Sequence, residues 1–286
     1  MDLPEFHRGA VQESDGAIKP YVTVGDGPMP MVIVPGAVDG FRTAVDMAIY
    51  IAWFYRRRCR DFRLLVLSRR EPIPPGYRID EHARDMIRTA EALDWGPAVW
   101  ECLSAGGPIG QSVAAQRPDL VRGLILSSAM HHAAGRTRTM LERWLTIAAE
   151  NGSANVLFSP IEYKYRPPES VLSADQRSEL KARKTRVYPG RLKRMLQPLV
   201  DLDHRDLVPR IVCPTLIVTG GKDRIVSVKL QQDMARRMAN ARQRICPGFG
   251  HFNDLENPDY HGLVGEFAGS FTQNGAHSIG RRVAEA

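Results

Sequence analysis

A chain of 286 residues, 43% hydrophobic and 25% charged, is long enough for one large α/β domain or a domain carrying one insertion. The formal net charge of +7 sets 39 Lys and Arg against 32 Asp and Glu. No basic run is long and interleaved with aromatics, which argues against a nucleic-acid partner and leaves attraction of an anionic small-molecule substrate open. The first residues lack a secretory signal, the most apolar helical stretch (47–55) is too short to span a bilayer, and the 4 cysteines (Cys59, Cys102, Cys213, Cys246) show no paired or metal-type spacing. The expectation is a cytoplasmic protein with reduced thiols and no membrane partner.

In chain order, residues 21–24, closed by Gly25-Asp26-Gly27, read as an early hairpin strand, and 31–34 as a second strand ending at Pro35-Gly36. A helix is predicted over 43–55, with Arg56, Arg57 and Arg58 compensating its dipole. Strands follow at 64–67, 98–102, 123–127, 215–218 and 242–246, with helices at 81–93, 109–116 and 229–238. Alternation with near-continuous apolar strands predicts an α/β fold, a mostly parallel central sheet with helices on both faces. Residues 130–206 break the alternation with helix-like pieces at 138–150, 174–183 and 190–199. They are expected to form a helical cap inserted between core segments 1–129 and 207–272, with 273–286 a flexible tail.

Residues 99–107, Val-Trp-Glu-Cys-Leu-Ser-Ala-Gly-Gly, read as a strand running into a tight turn that presents Ser104. A nucleophile on such a turn has a strained backbone, so the residues two positions either side must be small. Gly106 meets that requirement, while Cys102 stands where the usual pattern has glycine. Taken alone, the turn serves equally well for a serine that caps the following helix. A serine nucleophile also needs a base, a group that orients the base, and donors for the oxyanion. In a parallel sheet these belong on loops at the carboxyl ends of strands. Asp223 follows a strand and the Gly220-Gly221 turn, and His251 follows the last strand on Gly248-Phe249-Gly250. Either residue alone has a bland reading, a turn aspartate and an inert loop histidine, but the order Ser, Asp, His is a recognised triad order. Oxyanion donors are expected from the N–H groups of Ala105 and Ala37, with Gly36 permitting close approach of substrate.

These residues, with Arg117 to Leu126 linking the elbow helix to the next strand, resemble an α/β-hydrolase-fold enzyme across nearly the whole chain. The resemblance implies Ser104 as nucleophile, His251 as general base and then acid, and Asp223 as the orienting carboxylate. It also implies a helical lid at residue 130 onward. The chain departs from the family pattern at Pro35, where histidine is common, at Ser68-Arg69-Arg70-Glu71, and at Cys102. Serine at the elbow argues against the haloalkane dehalogenase and epoxide hydrolase branches, which use aspartate there.

Glu101 sits in a predicted central strand, where a charge is costly unless paired. Arg69 or Arg70 is the expected partner, and a carboxylate with a shifted pKa near the site is the functional alternative. Gly36, Val38, His131, Trp144 and Phe252 are candidate substrate contacts. His131 and His132 serve equally as surface residues, with no metal expected. Trp144, Phe158, Tyr163 and Tyr165 either wall the pocket or pack the cap on the core. Arg177, Lys181, Arg183, Lys184 and Arg186 read as a mostly solvated face, some of it able to favour a carboxylate-bearing substrate. The expected activity is hydrolysis, without cofactor, of a carboxylic ester or related acyl bond. Carbon–carbon bond hydrolase, lactonase, perhydrolase and aminopeptidase activities stay open, as do a non-catalytic ligand-binding role and a homo-oligomeric state.

Overall fold

The apolar runs read from the sequence become the middle of one eight-stranded sheet in the computed structural model, which describes residues 3–150, 167–183, 188 and 190–271. The strands are β1 (Phe6–Gln12), β2 (Ile18–Val24), β3 (Met29–Val34), β4 (Phe62–Leu67), β5 (Ala98–Leu103), β6 (Val121–Ser127), β7 (Thr215–Gly220) and β8 (Ala241–Cys246), in the order β1-β2-β4-β3-β5-β6-β7-β8. β1 and β2 pair antiparallel, as do β2 and β4; all other pairs are parallel.

Side chains alternate across a strand, and helices cover both faces. On one face Val32, Val34, Trp100 and Cys102 pack with Met86 of α2 (Ile79–Ala92), Ile109 and Val113 of α3 (Gly107–Gln116) and Met234 of the helix Val228–Arg237. On the other, Met31, Ile33 and Val99 pack with Ala48 and Ala52 of α1 (Ala48–Tyr55) and with Tyr260 and Val264 of the helix Tyr260–Gly269. That alternation puts Glu101 on the same face as Val99, between Ile33 and Ile125 on the flanking strands.

Between β6 and β7 the described residues form α4 (Gly135–Glu150), α5 (Ala174–Arg183) and α6 (Arg191–Val200), with no strand among them. The entry and exit of this segment meet. His204 N–H donates to His131 O at 2.7 Å and Ala133 N–H to Leu202 O at 3.0 Å, around a bridge between His132 and Asp203. α4 packs on α6, and α6 packs on the short turn Ala37–Gly40 after β3. After β7 come α7 (Val228–Arg237), β8, α8 (Asn253–Glu256) and α9 (Tyr260–Gly269).

Three local expectations change. The early hairpin pairs β2 with β1, a half-exposed edge strand whose pattern gives no buried run. The predicted helix over 43–55 starts only at Ala48, because Asp46 Oδ2 accepts from Thr43 N–H (3.0 Å) and Thr43 Oγ1 (2.8 Å) and closes a turn instead. α9, absent from the sequence reading, covers the sheet despite Gly262 and Gly265. The expectations placed on Phe158, Tyr163, Tyr165, Lys184, Arg186, the side chain of Arg183 and residues 273–286 lie outside the described residues. Among the described residues no helix is long and apolar enough to cross a membrane.

Candidate active site

β5 ends at Cys102-Leu103 and runs straight into Ser104-Ala105-Gly106, where Ser104 takes the left-handed conformation with φ +47°. This strained turn throws the Oγ off the strand end before α3 begins at Gly107. Close packing dictates the small residues around it. A Cβ on Gly106 would stand 2.4 Å from Val34 O, and one on Gly110 2.2 Å from Cys102 Sγ. Cys102 therefore fits where glycine is usual because α3 presents a glycine against it. Burial pushes the Cys102 thiol far above its ordinary pKa, so it stays protonated.

The structure brings Ser104, His251 and Asp223 together. His251 Nε2 lies 2.8 Å from Ser104 Oγ, and Nδ1 lies 2.9 and 3.1 Å from the two Asp223 carboxylate oxygens. Backbone contacts hold the two loops that carry the imidazole and the carboxylate. Lys222 N–H donates to Phe249 O and Gly221 N–H to Cys246 O, both at 2.8 Å. A side chain on Gly220 would strike Gly250 O. Asp223 Oδ1 accepts from the N–H groups of Ile225 (2.8 Å) and Val226 (2.9 Å), which fixes the carboxylate plane. Ser128, at φ +51°, donates its hydroxyl to His251 O at 2.7 Å. Sequence reading missed Ser128; its position just past β6, on the same sheet edge as the other three, was the available signal.

Gly36 brings the loop after β3 against the elbow: its missing Cβ would lie 3.1 Å from Leu103 O and Ser104 Cβ. Together these elements enclose a cavity of about 220 Å³. Gly36, Ala37, Val38, Trp144 and Phe252 line it with Ser104 and His251, as does Leu192 of α6. Among the described residues its lining includes Asp254 and no Lys or Arg.

Two expectations are corrected. His131 does not line the cavity. It is buried beside β6, with Nε2 3.1 Å from Asp233 Oδ2 and 3.0 Å from His132 Nδ1, and burial lowers its pKa to about 4. Ligand atoms of His131, His132 and Asp233 lie within 4.8 Å of one another, but Arg236 and Arg237 already hold the Asp233 carboxylate and oppose a further cation. Glu101 pairs with neither Arg69 nor Arg70. Its face of the sheet meets the residues after α1 and the start of α9, so Oε2 pairs with Arg58 Nη1 and Oε1 accepts from Tyr260 Oη at 2.8 Å. Arg69 instead reaches Asp39, and Arg70 reaches Asp15.

An imidazole placed between a serine hydroxyl and a carboxylate can take the hydroxyl proton while its other N–H stays fixed. A family model described as serine aminopeptidase, S33, matches residues 78–256. A pimeloyl-(acyl-carrier protein) methyl ester esterase of Vibrio vulnificus is 26% identical over 195 residues, 64% of this chain and 76% of that protein. Haloalkane dehalogenase 2 of Mycobacterium tuberculosis is 25% identical over 262 residues, 84% of this chain and 87% of that protein. Among solved structures, an esterase from Exiguobacterium antarcticum superposes with a TM-score of 0.71 at 18% identity, covering 94% of this chain and 100% of that one.

Proposed function

The chain belongs to the serine aminopeptidase S33 family of α/β-hydrolases, and from that premise we propose that it hydrolyses carboxylic esters of uncharged, apolar acyl groups through an acyl-enzyme on Ser104. The observation that carries this reading is the Ser104–His251–Asp223 series, with contacts of 2.8 and 2.9 Å, opening on an apolar cavity. Ser104 Oγ attacks the ester carbonyl and its proton passes to His251 Nε2. The tetrahedral oxyanion takes hydrogen bonds from the N–H groups of Ala37 and Ala105, each such donor contributing about 2.7–4 kcal/mol in comparable sites. Collapse breaks the ester bond, and the leaving alkoxide takes the proton from His251. Water then enters, gives a proton to His251 and its hydroxide to the acyl carbon, and Ser104 leaves protonated. Asp223 holds Nδ1–H throughout. A serine at the elbow, rather than an aspartate, separates this chemistry from that of the dehalogenase relative.

Phe41, Val38, Trp144, Leu192 and Phe252 supply the acyl-binding surface. We read residues 130–206 as a cap, with Trp144 of α4 and Leu192 of α6 as its contribution to the wall. Among the described residues, the cap cations Arg177 and Lys181 are exposed on α5 and no Lys or Arg lines the cavity, which favours an uncharged acyl group over an anionic one. One observation favours a second reading. Asp254 is among the residues that line the cavity, and an amine-bearing aminoacyl substrate would match an acidic residue there, as the family name suggests.

A fluorophosphonate probe, peptide mass spectrometry and a Ser104→Ala control test the nucleophile: an adduct on Ser104 is expected, and its absence would refute the acyl-enzyme. Turnover of p-nitrophenyl butyrate against aminoacyl p-nitroanilides then separates the two readings. Faster cleavage of the anilides would select the aminopeptidase.

A further inference from the structure

The oxyanion donors proposed above sit on two separate loops, and one buried side chain touches both. Arg69, two residues past β4, is 1% exposed. Its Nη2 donates to Ala105 O at 2.9 Å, and its Nη1 donates to Pro35 O at 3.2 Å and to Asp39 Oδ2 at 3.1 Å. The Ala105 carbonyl belongs to the peptide next to the one that carries the Ala105 N–H. The Pro35 carbonyl lies one peptide before the one that carries the Ala37 N–H. A single planar guanidinium therefore bridges the peptide before one donor and the peptide after the other. Asp39, in the short turn that Ala37 opens, accepts from Arg69 N–H as well (3.0 Å).

Arg191 closes the arrangement from the other side. This α6 side chain, also 1% exposed, donates through Nε to Asp39 O (2.7 Å) and through Nη2 to Asp39 Oδ2 (3.1 Å) and Arg69 O (2.9 Å). Its Nη1 reaches Arg70 O (2.9 Å) and Glu71 Oε2 (2.6 Å). Helix α6, which supplies Leu192 to the cavity wall, is thus tied through Asp39 to the group that spaces the oxyanion donors.

We propose that Arg69 is a positioning residue that aligns the Ala37 and Ala105 N–H groups on the tetrahedral intermediate, and that Arg191 couples helix α6 to that alignment. The proposal rests on the acyl-enzyme reading. Its chemical logic is the fork: two donor nitrogens in fixed geometry bridge two carbonyls, which the point charge of lysine cannot do. A group acting through the donors affects the transition state more than the bound ester, so kcat should fall and KM should stay.

Arg69→Met, Arg69→Lys and Arg191→Met are compared with wild type on p-nitrophenyl butyrate. Active sites are counted by exhaustive fluorophosphonate labelling, and Ki is measured for a boronic acid that forms a tetrahedral adduct with Ser104. Since loss of a whole oxyanion donor costs about 10²–10³-fold, Arg69→Met should lower kcat per labelled site roughly 30–300-fold and raise the boronate Ki by a similar factor. KM should move less than about three-fold, with Arg69→Lys intermediate and Arg191→Met showing a smaller loss of the same pattern. A purely structural role would lower the labelled fraction or melting temperature while leaving per-site kcat and Ki within about two-fold of wild type, and that result overturns the proposal. Should Arg69→Met not fold, Arg69→Lys, which keeps the charge beside Asp39, carries the same criterion. If wild type is not labelled at Ser104, the acyl-enzyme reading fails and the alignment role falls with it. If wild type is labelled and only the variants behave as wild type, the alignment role alone fails.

Discussion

Arg58→Met should be among the most damaging substitutions outside the cavity, and the reason lies on the strand that leads into Ser104. Glu101 is fully buried and Arg58 is 3% exposed. The carboxylate has two partners, Arg58 Nη1 on one oxygen and Tyr260 Oη on the other. Methionine replaces the aliphatic stem of Arg58 and leaves Glu101 with one neutral donor. Removing one partner of a buried pair costs about 3–5 kcal/mol, because the remaining charge has no compensation. At about 2–4 °C per kcal/mol, the melting temperature should fall by roughly 6–20 °C. Arg58→Met/Glu101→Gln removes both charges and keeps an acceptor for Tyr260, so it should recover to within about 2 kcal/mol of wild type. The double variant would then be more stable than the single one, a coupling of at least about 1 kcal/mol in a urea-unfolding cycle read by circular dichroism. A cost below about 1 kcal/mol for Arg58→Met, or additive behaviour in the cycle, would refute the reasoning. Ser104 labelling by fluorophosphonate supplies an independent check. Glu101 faces α1 and α9 rather than the cavity, so the rate per folded molecule should stay within about two-fold of wild type; a larger fall would restore the idea of Glu101 as a carboxylate acting at the site.

Asp223→Asn should lower kcat by roughly 10³–10⁴-fold while the protein melts near the wild-type temperature, since the amide oxygen still accepts from Ile225 and Val226. Gly110→Ala should cost about 1–3 kcal/mol in urea unfolding through its clash with Cys102 Sγ, and Cys102→Gly in the same chain should restore most of it. Burial holds His131 and His204 at about 4 and His261 at about 3, against about 6.5 for an unfolded imidazole. With folded values depressed, the unfolded chain binds more protons between those limits. Stability is therefore full above about pH 6.5 and falls as pH drops toward 4, seen as a declining urea midpoint whose slope His131→Asn should lessen.

The meeting of Ser104, His251 and Asp223 was legible because each sits just past a strand, on a turn whose glycines the chain cannot replace. Gly106 against Val34 O and Gly220 against Gly250 O are constraints of backbone on backbone, and such constraints leave a mark in the local sequence. The partner of Glu101 was not legible for the opposite reason. Strand alternation fixes which face Glu101 shares with Val99, but which helices cover that face is decided by packing 43 residues upstream at Arg58 and 159 downstream at Tyr260. β1 escaped notice because an edge strand needs only one buried row, and α9 because its two glycines dilute a helical pattern that tertiary burial of Tyr260, Val264 and Phe267 sustains. His131 looked like a pocket residue by its place after β6; the backbone turns there, and its ring goes under α7 to Asp233.

The same distinction governs the charge. A surplus of +7 invites an anionic ligand when every arginine is taken as surface. Arg58, Arg69 and Arg191 are instead 3%, 1% and 1% exposed, each set against a carboxylate that is itself almost wholly buried. Arginine suits this use because its fork can satisfy a carboxylate and several backbone carbonyls at once, and Arg191 alone makes five such contacts. Two of the three hold the loops that meet at Ser104, and the third neutralises the strand beneath it. Part of the basic character of this chain is therefore committed to fixing the elbow and its neighbouring loop, and is not available to attract substrate. That accounts for a basic protein whose cavity, among the described residues, is lined by no basic side chain, and these three arginines supply buried cross-links between loops and strands rather than long-range attraction.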